Sequence, residues 1–137
     1  MNEPTKSEFF RIGEMAGAST LRAPDSFALP ADVITKFERN GIEPQEIERI
    51  IGPRDELLRL ANEHENLSLD QSDRATRLAN IVSLAETVFG KREKAFLWLR
   101  YPNSELGGRP PLECLTREPA ARAVEEVLIR IDHGIAA

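Results

Sequence analysis

Few residues in this chain are of the types that carry catalysis or bind a metal, and they lie far apart. The sequence has two histidines, His64 and His133, and one cysteine, Cys114. A zinc site needs several such ligands at short spacing, and a nucleophile needs a neighbouring base. Neither pattern occurs, and no Gly-rich phosphate loop is present. The sequence therefore predicts a binding protein rather than an enzyme, with no metal and no cofactor.

The paired acids also favour binding over catalysis. Glu46 and Glu48, like Glu125 and Glu126, could serve as acid and base only inside a cleft. We expect both pairs to lie on exposed helix faces, where carboxylates are solvated. His133 falls at the end of a predicted helix, where the helix dipole favours a positive imidazole.

Composition and charge narrow the class of protein. A chain of 137 residues with 41% hydrophobic residues can form one compact unit, or two small ones that share a core. Residues 1–66 hold 8 Lys and Arg against 13 Asp and Glu, and residues 67–137 hold 10 against 10. Any DNA contact must therefore come from a local basic face. Without an 18-residue apolar run or a signal peptide, and with Cys114 expected to be buried, we predict a cytoplasmic protein.

Three short helices are predicted in residues 30–66, after an arm of residues 1–29 that we expect to be partly mobile or ordered by a partner. Phe9, Phe10, Ile12 and Met15 of this arm could dock as a short helix. Proline and glycine then mark the helix ends: Pro30 and Pro44 begin two helices, Asn40–Gly41 ends the first, and Gly52–Pro53 precedes a third over residues 54–65. Two short helices joined by a Gly-containing turn form a helix-turn-helix candidate.

The second half of the chain predicts longer helices. Ser68 and Gln71 form a capping box, and the helix that they begin ends at Gly90. The next helix runs from Lys91 to Tyr101, and the last from Glu118 to Asp132. On the Lys91–Tyr101 helix, we expect one face to carry Ala95, Trp98 and Leu99. With no segment of strand periodicity, the predicted fold class is all-α.

The most specific pattern spans about the last fifty residues. It comprises Ala-x-x-Val-Phe-Gly ending at Gly90, a Trp98-Leu99 helix end, Pro-Asn-x-x-Leu-Gly-Gly-x-x-Pro-Leu-Glu over residues 102–113, and Arg-Ile-x-His-Gly over residues 130–134. This pattern resembles the toxin-binding domain of the Xre/MbcA/ParS-type antitoxins. Their partners are RES-domain toxins, named after an Arg-Glu-Ser signature, which consume NAD.

The resemblance implies a division of the chain and a mechanism. Residues 1–29 would be an arm, 30–66 a helix-turn-helix (Xre-like) domain that binds the operon's own DNA, and 67–137 the toxin-binding domain of a homodimer. The C-terminal tail would enter the NAD pocket of the toxin, with Arg130 at its rim. The implied toxin-binding residues are Trp98, Asn103, Leu106, Gly107, Gly108, Pro110, Leu112, Arg130, His133, Gly134, Ile135, Ala136 and Ala137.

DNA binding is the part of this interpretation that the residues support least. The predicted recognition helix, residues 54–65, carries two cations, Arg54 and Arg59, against four acids. Phosphate contacts dominate DNA affinity, so this helix is poorly suited to the task. Either binding is weak and needs a dimer, or basic residues elsewhere contribute, such as Lys36, Arg39, Arg74 and Arg77. We take Arg54, Arg59, Lys36 and Arg39 as the candidate DNA-binding residues.

Two other functions fit the same residues. The chain could be a transcriptional regulator whose C-terminal half only dimerises, or an adaptor that binds another protein through the surface between Trp98 and Leu112. The tail separates the first possibility from an antitoxin, because only an antitoxin would need it.

Overall fold

Seven α-helices and two short 3₁₀ turns form the part of the chain that the computed structural model describes, residues 7–19 and 28–134. No strand occurs among these residues, so the all-α prediction is confirmed. None of the described helices is long and apolar enough to cross a membrane. The helices are α1 (Glu8–Ser19), α2 (Val33–Arg39), α3 (Pro44–Ile50), α4 (Arg54–Asn62), α5 (Leu69–Phe89), α6 (Arg92–Arg100) and α7 (Glu118–Asp132), and the 3₁₀ turns are Ser104–Leu106 and Pro111–Cys114.

The first helix is part of the core. Phe9 is fully buried, with its ring centroid 5.9 Å from that of Phe37 and 6.3 Å from that of Phe96. Ile12 is buried beside it, whereas Phe10 is half-buried and the side chain of Met15 lies outside the described residues. Phe9 and Ile12 therefore confirm that this segment docks as a short helix, and the rings that Phe9 packs on belong to the chain itself rather than to a partner.

Helix α5 is the central element, and its sequence signals are confirmed. The Ser68 hydroxyl accepts from the Gln71 backbone N–H at 3.0 Å, and the Gln71 side chain accepts from the Ser68 N–H at 2.9 Å. Gly90 ends the helix at φ +78°, a left-handed conformation that glycine adopts at little cost. Helices α1, α6 and α7 all pack against α5.

The buried face of α6 differs from the prediction. Ala95, Phe96 and Leu99 are buried, whereas Trp98 is only partly buried, with its ring 5.7 Å from that of Phe89. Phe96 replaces Trp98 in the core because α1 supplies Phe9 on that side of the helix. The sequence of α6 alone could not reveal this neighbour.

The N-terminal helices α3 and α4 are separated by three residues, 51–53. Helix α4 ends at Asn62, earlier than predicted, and His64 follows with a left-handed backbone at φ +56°. One continuous core includes side chains from α1 through α7. The division into residues 1–29, 30–66 and 67–137 stays a prediction, and the three segments share that core.

Candidate functional site

The turn between α6 and α7 is closed by its own hydrogen bonds. The Asn103 backbone N–H donates to the carbonyl of Arg109 at 3.1 Å, and the Gly108 N–H donates to the carbonyl of Asn103 at 2.9 Å. The Asn103 side-chain oxygen also accepts from the Glu105 N–H at 2.9 Å. Asn103 therefore fixes the shape of this segment, which explains why an amide residue stands there.

Two consecutive glycines form the exposed tip of the turn. Gly107 and Gly108 have φ angles of +72° and +80°, which other L-residues rarely adopt. A Cβ atom built at either position meets nothing within 4 Å. The glycines are therefore required by backbone conformation and not by crowding, and the space above them is open.

The turn is tied to the last helix by an ion pair. Arg130 Nη2 lies 2.8 Å from Glu105 Oε1, with the two side chains 43% and 31% exposed. Arg130 Nε is buried and has no hydrogen-bond partner among the described residues. The sequence predicts Arg130 as a site residue but gives no indication of Glu105, because the two are 25 positions apart. This contact brings the C-terminal end of α7 to the turn.

The apolar residues of the predicted site anchor the turn to the hydrophobic core. Leu106 is 8% exposed and Leu112 is 3% exposed, while Pro110 is half-buried. Cys114 is buried as predicted, its Sγ donates to the Pro110 carbonyl at 3.7 Å, and burial raises the pKa of its thiol. Leu106 and Leu112 face the core here, so the accessible part of the turn is polar and glycine-rich.

The end of α7 is exposed. His133 is the C-terminal capping residue, and Gly134 follows at φ +71° with its N–H bonded to the Ile131 carbonyl at 3.0 Å. The predicted tail residues Ile135, Ala136 and Ala137 lie outside the described residues. Trp98 lies on α6 with its ring against that of Phe89. No group of His, Cys, Asp and Glu in the described ranges could hold a metal ion.

Most of the cations predicted to contact DNA already pair with acids. Arg54 binds Glu38 through Nε and Nη2 at 2.6 and 3.0 Å, and these bonds raise the pKa of Arg54. Arg59 and Arg39 pair with Glu63 at 2.8 Å and with Glu8 at 3.1 Å, respectively. Lys36, half-exposed on α2, makes no ion pair within the described part of the chain.

A buried ion pair joins the two halves of the chain and corrects the expectation that Glu46 is exposed. Glu46 is 4% exposed and accepts from Arg100 Nε and Nη2, each at 2.9 Å, and from the Glu43 N–H at 2.9 Å. Burial by itself would raise the pKa of Glu46, but the bonds from Arg100 and Glu43 outweigh it and hold that pKa below its usual value. Neither the capping bond from the Glu43 N–H nor the partner on α6 was predicted from the sequence.

Comparisons with known proteins agree with this architecture. The Antitoxin Xre/MbcA/ParS C-terminal toxin-binding domain matches residues 84–134, which contain the end of α5, α6, the glycine turn and α7. The protein Antitoxin Xre of Pseudomonas putida (strain KT2440) is 37% identical over 114 residues, which cover 82% of this chain and 70% of the relative. This chain belongs to the Xre/MbcA/ParS antitoxin family.

Membership of this family settles the class of function. The chain is an antitoxin, a protein that neutralises a cognate toxin by binding it, and it is not an enzyme. The matched domain places toxin binding in the same segment that holds the Asn103–Arg109 turn and the Arg130–Glu105 contact.

Proposed function

We propose that this antitoxin neutralises a RES-domain, NAD-degrading toxin in the cytoplasm by covering the toxin's active site with its C-terminal region. The observation that carries the proposal is the Arg130–Glu105 ion pair at 2.8 Å, because it joins the end of α7 to the open glycine turn within the toxin-binding domain. The contacting residues would be Trp98, Asn103, Leu106, Gly107, Gly108, Pro110, Leu112, Arg130, His133, Gly134, Ile135, Ala136 and Ala137.

These residues have different parts in the proposed mechanism. The Gly107–Gly108 tip has no side chains, so a partner surface can approach its backbone closely. Leu106 and Leu112 position the tip from the core side. Residues 135–137 have small or apolar side chains, which suit a narrow cleft, and they would fill the toxin's NAD pocket. Exclusion of NAD is then steric and needs no chemistry from the antitoxin.

The test is co-expression of the antitoxin with the neighbouring reading frame of its operon, followed by purification and an NAD-consumption assay. We expect a stable complex that consumes no NAD. Deletion of residues 135–137 should restore NAD consumption while the complex still forms. A matched control keeps the length and carries Ile135→Ser, Ala136→Ser and Ala137→Ser. If this control also fails to inhibit, the side chains matter and not only the length.

Two results would contradict the mechanism. Full inhibition after deletion of residues 135–137 would show that the tail does not fill the active site. If no neighbouring protein copurifies and NAD levels are unaffected by it, the alternative stands: a helix-turn-helix regulator whose C-terminal half only dimerises.

We further propose that residues 30–66 bind operator DNA in a homodimer and repress the operon. The supporting observation is the arrangement of α3 and α4, two short helices separated by three residues that include Gly52 and Pro53. The pairing of Arg39, Arg54 and Arg59 with acids weakens each of them as a phosphate contact.

Salt dependence measures how many of these cations contact phosphate. Each neutralised phosphate contributes about −0.9 to the slope of log affinity against log salt concentration. We expect a slope of about −2 if only Lys36 of each copy contacts phosphate, and about −7 if all four candidates of each copy do. A fluorescence-anisotropy titration with the operon's upstream DNA distinguishes these values. A slope near zero would argue against DNA binding.

A further inference from the structure

An open groove of about 610 Å³ lies beside α6, where this helix meets the end of α2. Asn40 and Gly41 line one side, and six residues of the segment 92–101 line the other. The exposed surface of the groove is mainly apolar. It is separate from the glycine turn, because none of residues 103–134 lines it.

Two large apolar side chains stand exposed at this groove. Leu97 and Tyr101 are each 74% exposed, against 44% for Leu69 and 41% for Ile129, the other exposed large apolar residues of the described chain. Leu97 lies on α6 and Tyr101 is the residue that caps its C-terminal end, and both side chains line this groove. Two neighbouring exposed apolar side chains beside a groove are typical of a protein-binding surface, whereas a single exposed leucine is common on any protein surface.

The two arginines of the groove are held in place by contacts that use only part of each guanidinium. Arg100 binds Glu46 and the Gly41 carbonyl through Nε and Nη2, and its guanidinium carbon lies 4.4 Å from the centre of the Phe96 ring. Arg92 binds Glu86 and Asn40 through Nε and Nη1. Arg100 Nη1 and Arg92 Nη2 have no acceptor among the described residues. They are prepositioned donors for a carboxylate.

We propose that this groove is a second docking surface for the toxin, which would insert a segment with an apolar side chain next to a carboxylate. The apolar side chain would pack between Leu97 and Tyr101, and the carboxylate would meet Arg92 or Arg100. The occupant is a toxin and not DNA because the groove is apolar and six of its eight lining residues fall within the toxin-binding domain at residues 84–134. The inference rests on the proposed function, since it adds a contact to the same complex.

Glu93, which also lines the groove, tests whether the toxin segment that binds there carries a negative charge. It is the one acidic residue among those that line the groove. If the toxin brings a carboxylate, Glu93→Gln should strengthen toxin binding by about two- to threefold at low salt, because a like-charge repulsion is removed. Glu56→Gln on the exposed surface of α4 removes the same charge elsewhere and should leave the affinity unchanged.

The main experiment measures the affinity of full-length variants for the toxin encoded beside this chain, separated from the co-expressed complex and refolded. Leu97→Ser and Tyr101→Ser should each weaken binding by about tenfold or more, as expected for apolar anchors at an interface. Leu69→Ser, on α5 outside the groove, should change the affinity by less than about twofold. Circular dichroism checks that all three variants keep the helical content of the wild type.

The outcomes separate this inference from the proposed function. Binding of the toxin by Leu97→Ser and Tyr101→Ser at wild-type strength would overturn the groove while leaving tail occlusion intact. A change in mass by light scattering from dimer to monomer, with toxin affinity unchanged, would assign the groove to a second copy of this chain and also overturn it. Failure of the wild type to bind the toxin would overturn both.

Discussion

The region predicted to form a helix-turn-helix, residues 30–66, and the C-terminal region, residues 103–134, each contain four arginines, but they use them differently. In the first region three of the four pair with acids. In the second, Arg109 and Arg117 make no ion pair within the described chain, and both line a cavity of about 440 Å³ together with the acid Glu113. Two cations of each region therefore make no ion pair within the described chain, Lys36 and Arg49 in the first and Arg109 and Arg117 in the second, but only the second pair shares one cavity.

This difference indicates that the paired arginines of residues 30–66 mainly stabilise the fold, whereas the exposed groups of residues 103–134 are available to a partner. The pairs of Arg39 and Arg54 each link two different helices, so they stabilise the arrangement of α1, α2 and α4. The open Gly107–Gly108 tip contributes little to the core. It is therefore available for a partner, in agreement with its place in the toxin-binding domain.

The largest expected effect comes from a change that would loosen the packing of α1 on α2 and α6. Phe9→Ala removes a fully buried ring that contacts both Phe37 and Phe96, and we expect it to lower the free energy of unfolding by about 3–5 kcal/mol. Urea denaturation followed by circular dichroism measures this loss in one cooperative transition. The exposed control Leu97→Ala should stay within about 0.5 kcal/mol of wild type. Two separate transitions would show that the regions fold independently.

The next effect concerns the ion pair that joins residues 30–66 to α6. Glu46→Gln leaves Arg100 without its charge partner, and because Arg100 is 35% exposed we expect a loss of about 1–3 kcal/mol at pH 7, below the value for a fully buried pair. The exposed control Glu56→Gln should be nearly neutral.

The stabilisation that Glu46 provides should also depend on pH. Because the folded pKa of Glu46 is below its ordinary value, its stabilisation is complete above the ordinary carboxyl range and is lost as the pH falls through the folded pKa. The difference in stability between wild type and Glu46→Gln should therefore shrink below about pH 4. A difference that grows on acidification would contradict this assignment.

A smaller effect is expected in the glycine turn. Gly108→Ala places a Cβ on a backbone with φ +80°, so we expect a loss of about 1 kcal/mol from strain alone, because no atom lies within 4 Å of the new methyl group. Thermal unfolding measures the loss, and the exposed neighbour Ser104→Ala is the control. A neutral result would mean that the turn can adopt another conformation.

The smallest expected effect comes from an arginine of residues 30–66, the region predicted to bind DNA. Arg59→Ala removes an exposed pair with Glu63 on the same helix, and we expect its effect on unfolding to stay below about 0.5 kcal/mol. If Arg59 is occupied by Glu63, the salt dependence of DNA binding should also hardly change. A salt slope reduced by about 2 for a dimer would instead show that Arg59 leaves Glu63 to bind phosphate.

Local signals in the sequence predict the elements of this fold well. The capping box at Ser68, the left-handed Gly90 and the span of α7 from Glu118 to Asp132 all follow from neighbouring residues. The glycine turn follows in the same way, because Gly107 and Gly108 need backbone angles that few other residues adopt.

Contacts between distant residues could not be predicted from one sequence. The burial of Glu46 depends on Arg100, which is 54 positions away, and the arrangement of the site depends on Glu105 reaching Arg130. The exchange of Trp98 for Phe96 on the buried face of α6 has the same origin, because the packing partners of that helix are not visible in its own sequence. Each miss arises where helix packing decides which face is buried.

The position of Phe9 has a consequence for how the protein is made. Phe9 packs on Phe96 as well as on Phe37, so the N-terminal helices lack a complete set of packing partners until α6 has left the ribosome. Domains usually fold as units during synthesis, the N-terminal ones first. Here we expect that the nascent chain stays without its final packing until about two thirds of it has emerged. The N-terminal helices and the helices of the toxin-binding domain would then reach their native state together, late in translation.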